Sequence, residues 1–517
     1  MPKISTVPLA TFTSQLQFAF DSEMNVNFMK GFDMVFTISY KRNMKKFSCL
    51  FIVIMMCLVF TGCSNKVELN WIVPEPYIPS QNTISALNEK LDAMGCECVV
   101  NFVGLPNDGE LSYSEQVKSY LNSGKKADII FSGLANSSQF DLYNSSYYRF
   151  AKEGIFESLT SYFDTAIGKE LFDCFPLIHQ KAMTIDNEIY AVNGALTTLS
   201  TDNILLVNTG DINYEWNQDQ IYTLKQLSKI LKTDAFSNRN TSIMIFEQFL
   251  SYSHFKNYTE ITKCLYISDD NQLIFSLADS EYINYLVQCK QMMDEGILIN
   301  GDELENECDI SADDCIGGYW LANSFNKTLS RAPYIMIPME KENVVRFSNI
   351  GTGIYSRSRN KEEAFNILSL CFINPEINNM LVFGVENQDY YLNEGIPINT
   401  DGYERLRIFS FGNRLICYPL FYESENKKND FELAYQNAVI PDSLGFVFDD
   451  SGVKKEVVKT NELIDELLLH LSHSDITTDE TPNIINEYMR AIEDNGLYDI
   501  IFDLQFQYSQ WMKNREG

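Results

Sequence analysis

Residues 67–103, VELNWIVPEPYIPSQNTISALNEKLDAMGCECVVNFV, contain the pattern that decides the fold class. The apolar run VELNWIV is typical of a buried strand, and a Pro-rich turn follows it. Apolar residues then recur at helical spacing over residues 80–94, and Gly95 supplies a helix end. A second apolar run at residues 98–103 indicates another strand. Strand, helix and strand in this order predict two parallel strands joined by a crossover helix.

The same alternation continues along the chain. It predicts a second helix over residues 113–121 and a third strand over residues 127–131. Such alternation is typical of a mostly parallel sheet with helices on both faces. Ligands of these sheets bind at the carboxyl ends of the strands. Tyr77, after the first strand, and Ser132, after the third, are therefore candidate ligand-binding residues.

Two strand-like runs at residues 189–194 and 203–208 are predicted to carry the chain out of this sheet. Asn193 and Gly194, at the end of the first run, are further ligand-binding candidates. Further on, a strand is predicted over residues 351–355.

Two helices are predicted in the second half of the chain. A long helix is expected over residues 279–295, with Tyr282, Leu286, Cys289 and Met293 on its buried face. Another is expected to start at Asn360, whose side chain would cap the helix while Glu363 reaches back, as in a capping box.

An export signal is predicted before the first strand. Two lysines precede an apolar run over residues 47–60, and runs of about 10–14 apolar residues suit a signal peptide better than a spanning helix. Thr61-Gly62-Cys63 then resembles the bacterial lipobox, in which the cysteine carries the lipid and the leader is cut before it, although Phe60 stands where an aliphatic residue is usual. An uncleaved signal anchor and an ordinary secreted protein are the alternatives. Residues 44–62 are thus expected to be the signal peptide, and residues 1–43 an over-extended gene model.

Bulk composition narrows the function classes. A chain of 517 residues with 45% hydrophobic and 13% aromatic content is expected to fold into more than one globular domain. Its net charge of -30 argues against non-specific binding to nucleic acid or anionic lipid. Membrane contact is expected to come through the lipid on Cys63, and stable anchoring requires more than one acyl chain.

Cysteine and histidine patterns give little support to a metal or redox site. No C-x-x-C pair occurs, and buried free thiols are favoured, with a Cys308–Cys315 disulfide left open. His470 and His473 are three residues apart, but a solvated helix end is the favoured interpretation. No nucleophile elbow, phosphate loop or zinc-protease motif is present, although a carboxylate pair of the glycosidase type stays open. No cofactor, no metal and no catalytic residue is predicted.

Aromatic side chains are the enriched feature. Sugar rings present apolar C–H faces that pack on aromatic rings, while their hydroxyls need polar partners in the same pocket. Trp320, which follows two glycines and a tyrosine, is the best single candidate for such a contact, with a core role as the alternative. Trp71, inside a strand, and Trp511, near the end of the chain, are expected to pack in cores.

The order of several motifs resembles the extracellular solute-binding proteins, family 1, of ABC importers, in the Gram-positive branch for sugar and oligosaccharide uptake. The motifs are the lipobox, IYAVNG followed by ILLVN, MMDEGILI, GYW, GTGIYSRSRNKEEAFNIL, FGVENQDYYL, FGNRLICYPLF, LGFVFDDSGVKKEV and DIIFDLQFQYSQWMK. Glu386 and Tyr390, in the family-like GVENQDYY, join the ligand-binding candidates.

The resemblance implies a two-lobe, type II periplasmic-binding-protein-like α/β fold, each lobe a mostly parallel sheet flanked by helices, with extra C-terminal helices. It places the first lobe at residues 63–195 and 345–400 and the second lobe at residues 196–344. Residues 401–517 would complete the second lobe.

The resemblance also implies a lipid-anchored, monomeric receptor on the extracellular face of the cell membrane. It would capture a carbohydrate, expected to be an oligosaccharide, by rotating its lobes about crossover strands near Val192 and Gly351, and hand it to ABC permease subunits. A surface-tethered glycoside hydrolase and a ligand-sensing lipoprotein are the alternatives, and a peptide or another small solute stays open as the ligand.

Overall fold

The computed structural model describes residues 66–106, 112–133, 146–196, 198, 204–208, 226, 229–230, 242–245, 258–268, 270–295, 298–300, 315–318, 334–338, 345–399, 410–419, 426–472 and 476–516. From Lys66 onward the chain forms one compact unit.

The strands follow one another in chain order. They are β1 (Val67–Pro74), β2 (Cys98–Leu105), β3 (Ile129–Phe131), β4 (Thr184–Ile185), β5 (Glu188–Ile189), β6 (Ala191–Val192), β7 (Ile204–Asn208), β8 (Ser242–Ile245), β9 (Thr259–Thr262), β10 (Leu265–Ile267), β11 (Leu273–Phe275), β12 (Leu298–Asn300), β13 (Cys315–Gly318), β14 (Tyr334–Pro338), β15 (Thr352–Ile354), β16 (Tyr390–Asn393) and β17 (Ile396–Asn399).

The α-helices are α1 (Gln81–Ala93), α2 (Tyr113–Asn122), α3 (Ser146–Lys152), α4 (Ala166–Asp173), α5 (Leu177–Ala182), α6 (Ser280–Asp294), α7 (Lys361–Ile373), α8 (Pro375–Phe383), α9 (Lys427–Gln436), α10 (Lys454–Ser472), α11 (Thr481–Asp494) and α12 (Leu497–Glu516). In the part of the chain that the structure describes, none of these is long and apolar enough to cross a bilayer.

The first sheet has the strand order β2-β1-β3-β15-β6. β1 pairs in parallel with β2 and β3, and α1 lies between β1 and β2 in the chain, so the strand-helix-strand prediction is confirmed. β15 pairs antiparallel with both β3 and β6. The antiparallel strand β15 is thus the one that the chain forms when it returns to this sheet much later in the sequence.

Both faces of this sheet are buried, as expected for a sheet covered by helices. Trp71 and Phe131 face a layer that includes α1 and α7, while Ile72 and Ile130 face a layer that includes α2 and α3. This alternation follows the two-residue period of a strand. Trp71 is fully buried, as predicted, and its ring meets that of Phe411 edge-on at 5.1 Å. We call these two layers together the first core.

The second sheet has the order β12-β8-β13-β7-β14, with β8 parallel to β12 and β13 and with β7 antiparallel to β13 and β14. A three-stranded antiparallel meander, β9 to β11, packs with α6 and with α10, α11 and α12 in what we call the second core. The predicted inward residues of α6 lie in it or pack against it. Trp511 packs against Phe446 of the second core at a distance of 5.6 Å between ring centroids, and its predicted packing role is thus confirmed.

Three chain segments lie side by side, each at a point where the chain leaves or returns to the first core. The first crossing is residues 193–196 with Thr198, the second is residues 345–351 and the third is residues 438–446. Arg346 N donates to Thr198 O at 2.7 Å, which joins the first crossing to the second. Val345 N donates to Val439 O at 2.8 Å, which joins the second to the third. The crossovers predicted near Val192 and Gly351 are also adjacent, because Thr352 pairs with Val192.

Core packing differs from the predicted domain division at one boundary. Phe411, Leu415 and Tyr435 lie in the first core together with Trp71, and the chain reaches the second core only from Phe446. The C-terminal region therefore first completes the first core and then, after the third crossing, the second. The other boundaries stay predictions.

Two local predictions have different outcomes. The seven cysteines in the described part of the chain are free thiols, while Cys308 and the Cys315 side chain lie outside the described residues. The capping box at α7 was wrong in its details: Asn360 is the N-cap, but it makes no side-chain capping bond and donates through Nδ2 to Asp128 Oδ1 at 3.3 Å. Asp128, which also accepts from Asn70 N at 2.9 Å, is thus the partner of the Asn360 side chain in place of the helix N–H groups.

Candidate functional site

The carboxyl ends of β1, β2 and β3 meet at one edge of the first sheet, because these strands run parallel. Tyr77 ends the short 3-10 turn that follows β1. Its side chain is 5% exposed, and its ring centroid lies 6.0 Å from that of Phe131 at the end of β3. The predicted candidate thus lies at the expected edge, packed on the neighbouring strand.

Tyr113 lies at the same edge, at the start of α2 and after β2. Its side chain is 5% exposed, and burial raises its pKa well above the usual value, with a smaller contribution from Tyr77. The ring lies over Gly133, where a Cβ atom would come within 2.5 Å of Tyr113 Cδ1. Gly133 also has a φ of +95°, so both the ring and the backbone conformation favour glycine here.

Ser132, between β3 and Gly133, is fully buried and bonds to the second crossing. Its Oγ accepts a hydrogen bond from Gly351 N at 3.0 Å, and its own N–H donates to Gly351 O at 2.9 Å. The serine therefore fixes the returning strand β15 to β3 at the candidate edge.

Asn193 and Gly194 lie in the first crossing and are buried there. Asn193 Nδ2 donates to Ser348 Oγ at 3.0 Å, and its Oδ1 accepts from Ala195 N at 3.1 Å. Gly194 O accepts from Arg414 N at 2.8 Å. In the structure, Asn193 joins the first crossing to the second, while Gly194 bonds the first crossing to Arg414 in the C-terminal region.

A buried polar network continues from the first crossing. His179 Nδ1 lies 2.6 Å from Thr198 Oγ1, which lies 2.8 Å from Tyr435 Oη. Burial lowers the pKa of His179 to about 3, so the ring is neutral at physiological pH. The network therefore joins α5, the first crossing and α9 without a charged group.

Glu386 and Tyr390 lie in the turn before and at the start of the β16–β17 hairpin. Glu386 is exposed and forms a backbone bridge with Tyr390, whose ring packs 5.8 Å from Phe383. Burial, followed by the neighbouring Tyr418, raises the pKa of Tyr390. Asp389, in the same turn, accepts from Thr83 Oγ1 at 3.4 Å, which places the turn beside the first residues of α1. Since α1 follows β1, this turn also lies near the carboxyl edge of the first sheet.

Trp320 and Cys63 lie outside the described residues, as does His473. His470 is exposed, and its Nδ1 lies 2.9 Å from Tyr488 Oη. No group of three or more His, Cys, Asp or Glu side chains suited to a metal ion occurs within the described ranges.

Comparison with known proteins gives a named relative. A Streptococcus pneumoniae protein named carbohydrate ABC transporter substrate-binding protein is 22% identical in an alignment 424 residues long, which covers 76% of this chain and 83% of the relative. A family model described as a domain of unknown function, DUF3502, matches residues 442–513.

Solved structures match most of the chain. The N-glycan transport solute-binding protein NgtS of S. pneumoniae has a TM-score of 0.64 and 18% identity over 87% of this chain and 99% of its own. The alginate-binding protein AlgQ2 has a TM-score of 0.54 and 14% identity over 86% of this chain and 99% of its own. This chain has the type II solute-binding fold. The fold class and the resemblance inferred from the sequence are thereby confirmed.

The solute-binding fold brings three predicted candidates to one edge: Tyr77, Ser132 and the turn that contains Glu386. Whether any of them contacts a ligand stays a prediction. Sequence reasoning missed Tyr113, although its position at the start of the helix after β2 follows the same strand-end rule that selected Tyr77 and Ser132. The available signal was the aromatic residue at the first position of the predicted helix.

Proposed function

We propose that this protein is the substrate-binding component of a carbohydrate ABC importer, which captures an oligosaccharide and delivers it to permease subunits. The observation that supports this best is the relative named for that role, which matches this chain over 83% of its own length. The structural likeness to NgtS, which spans nearly all of that structure, also supports the proposal, because it shows that this chain has the fold of such a binding protein.

The proposed ligand class rests on the same comparisons. NgtS has also been solved in complex with Man1GlcNAc and with Man5GlcNAc. Aromatic side chains gather at the carboxyl edge of the first sheet in this chain, and sugar sites use such rings together with a few polar groups. Oligosaccharides that contain mannose and N-acetylglucosamine are therefore the first probes to use.

The proposed mechanism is capture by closure. The three crossings would act as the hinge, and a ligand that contacts both lobes would favour the closed form. The permease would then recognise that form. Binding of this kind needs no catalytic group, and the proposal is a binding protein and not an enzyme.

The proposed location is the outer face of the cell membrane, with lipid on Cys63 and a monomeric body. Fractionation of cells checks this proposal: the wild-type protein is expected with the membranes and the Cys63→Ala variant in the soluble fraction. An unchanged distribution of the variant would contradict the lipid anchor.

A thermal-shift panel tests the function itself. The chain from Ser64 onward is screened against oligosaccharides of mannose and N-acetylglucosamine, other mono- and oligosaccharides, amino acids and peptides, and the wells are analysed for products. Ligand at 100 times its Kd should stabilise the folded state by about 2.7 kcal/mol. Stabilisation by an oligosaccharide that stays intact supports the proposal. Appearance of hydrolysed sugar would favour a glycoside hydrolase, and stabilisation by peptides alone would contradict the carbohydrate assignment.

A further inference from the structure

Tyr113 carries a buried hydroxyl that has no hydrogen-bond partner within the described residues. Its side chain is only 5% exposed. More than nine in ten buried polar groups have a hydrogen-bond partner, and a buried polar group without one destabilises the folded protein. A bound ligand at this strand-end site would supply a partner for this hydroxyl.

The position of the ring makes a ligand the fitting partner. Tyr113 follows β2, Tyr77 follows β1 and Gly133 follows β3, so all three come from the carboxyl ends of parallel strands. Gly133 leaves room for the Tyr113 ring at the edge where ligands of such sheets bind.

Other unmet buried polar groups lack this position. Trp71 Nε1 also has no partner in the described part of the chain, but its ring lies mid-strand, 5.6 Å from the Phe102 ring. Thr460 Oγ1 has none either, but it lies within α10 in the second core.

A phenol hydroxyl can both donate and accept one hydrogen bond, which matches the two roles of a sugar hydroxyl. We infer that Tyr113 is a hydroxyl-recognition residue of the first lobe, whose Oη exchanges a hydrogen bond with a hydroxyl of the bound carbohydrate. This inference rests on the proposed function. The inference deepens the proposed function because it names a contact that selects for a hydroxyl, and not for an apolar group, at that point of the ligand.

The test is the Tyr113→Phe variant, which removes one oxygen and keeps the ring over Gly133. Two effects of opposite sign are expected. The unliganded variant should melt about 1 °C higher than the wild type, because no unmet hydroxyl is left. Its Kd for the tightest-binding oligosaccharide of the thermal-shift panel, measured by isothermal titration calorimetry, should be about tenfold weaker.

The matched control is Tyr147→Phe, in the same half of the chain. Tyr147 is fully buried, but its Oη donates to Met183 O at 2.5 Å and accepts from Tyr190 N at 3.3 Å. This variant should melt lower than the wild type and keep its Kd. The pair separates the loss of a structural hydroxyl from the loss of a ligand contact.

Each other outcome identifies which claim is wrong. If Tyr113→Phe binds as tightly as the wild type, the inference fails while the proposed function stands. If it melts lower or does not fold, the hydroxyl is structural and the inference also fails. If the wild type binds no carbohydrate of the panel, the proposed function fails and the inference falls with it.

Discussion

Gly194 shows how a single residue can be required by packing at a crossing. A Cβ atom here would lie 1.9 Å from Gly412 O and 2.6 Å from Phe372 Cε1. One of these contacts is backbone, so the neighbour cannot rotate away. We expect Gly194→Ala to lower the free energy of unfolding by about 3 kcal/mol, the upper end of what overpacking costs. Urea unfolding of both proteins measures this difference.

The control for that substitution is Gly452→Ala. The nearest atom to a Cβ there is Asp503 Oδ2 at 3.4 Å, which is ordinary contact. The control should change the free energy of unfolding by much less. Equal losses in the two variants would contradict the steric explanation.

Glu260 makes stability depend on pH. Its carboxyl group is buried beside the Tyr266 hydroxyl and accepts a hydrogen bond from Cys264 N through Oε1, while Oε2 has no partner within the described residues. Burial raises its pKa from 4.5 to about 7, while the hydrogen bonds from Tyr266 and Cys264 N, followed by the charges of Arg346 and Lys263, oppose this shift. The unfolded chain ionises first, so the wild type loses stability as pH rises from 4.5 to about 7.

Glu260→Gln cannot ionise and should not show this loss. The difference in free energy of unfolding between variant and wild type should grow by about 3 kcal/mol across that interval, and urea titrations at several pH values measure it. His179 acts in the other direction, because its lowered pKa removes stability only as pH falls below 6.5. If the difference in free energy of unfolding stays constant from pH 4.5 to 7, the pKa of the Glu260 carboxyl group is not raised in the folded protein.

Individual residues were only partly predictable from the sequence. Tyr77 and Ser132 were placed at the correct edge because a strand-end rule needs only local pattern. The partners of Asn193 and Asn360 could not be predicted, since Ser348 and Asp128 lie far from them in the chain and only the folded topology brings them together. Such long-range partners carry no local signal.

At the scale of elements, the returning strand β15 depends on a hydrogen bond to the backbone of Ser410. Thr352 is fully buried, and its Oγ1 donates to Ser410 O at 2.8 Å. Thr352→Val keeps the shape of the side chain and removes this donor. We expect a loss of about 1–2 kcal/mol in the free energy of unfolding, measured by urea unfolding.

Thr460→Val is the matched control for that substitution. Thr460 is 2% exposed, but its Oγ1 has no partner in the part of the chain that the structure describes. The same chemical change should therefore leave stability unchanged or raise it. If both valine variants lose the same stability, the Thr352 bond does not hold β15 in place.

Element types were the most predictable level. The helix expected over residues 80–94 is observed as Gln81–Ala93, with Ser80 as its N-cap. The strand expected over residues 351–355 is observed as Thr352–Ile354. Apolar periodicity and helix-end residues decide such elements locally. The antiparallel pairing of β15 with β3 depends on where the chain returns, which local periodicity does not encode.

At the scale of the whole molecule, the sequence did not predict the position of the third crossing, because all of residues 401–517 were expected in the second lobe. The resemblance implied an excursion and a return, and these are the first two crossings. The third follows from the C-terminal region, where Tyr435 packs in the first core and Phe446 in the second. Aromatic residues occur on both sides of this crossing, so their presence alone could not assign the two sides to different cores.

Three adjacent crossings also shape the expected motion of the proposed binding protein. If the three bonded segments act as the proposed hinge, we expect them to restrict twisting and to let the lobes close along one direction. We expect an oligosaccharide that binds in calorimetry to reduce the radius of gyration in small-angle X-ray scattering. A panel sugar that does not bind serves as the control and should leave the radius unchanged. Tight binding with no change in radius would mean that one lobe alone holds the ligand, because a ligand shifts an equilibrium only through contacts that differ between its two forms.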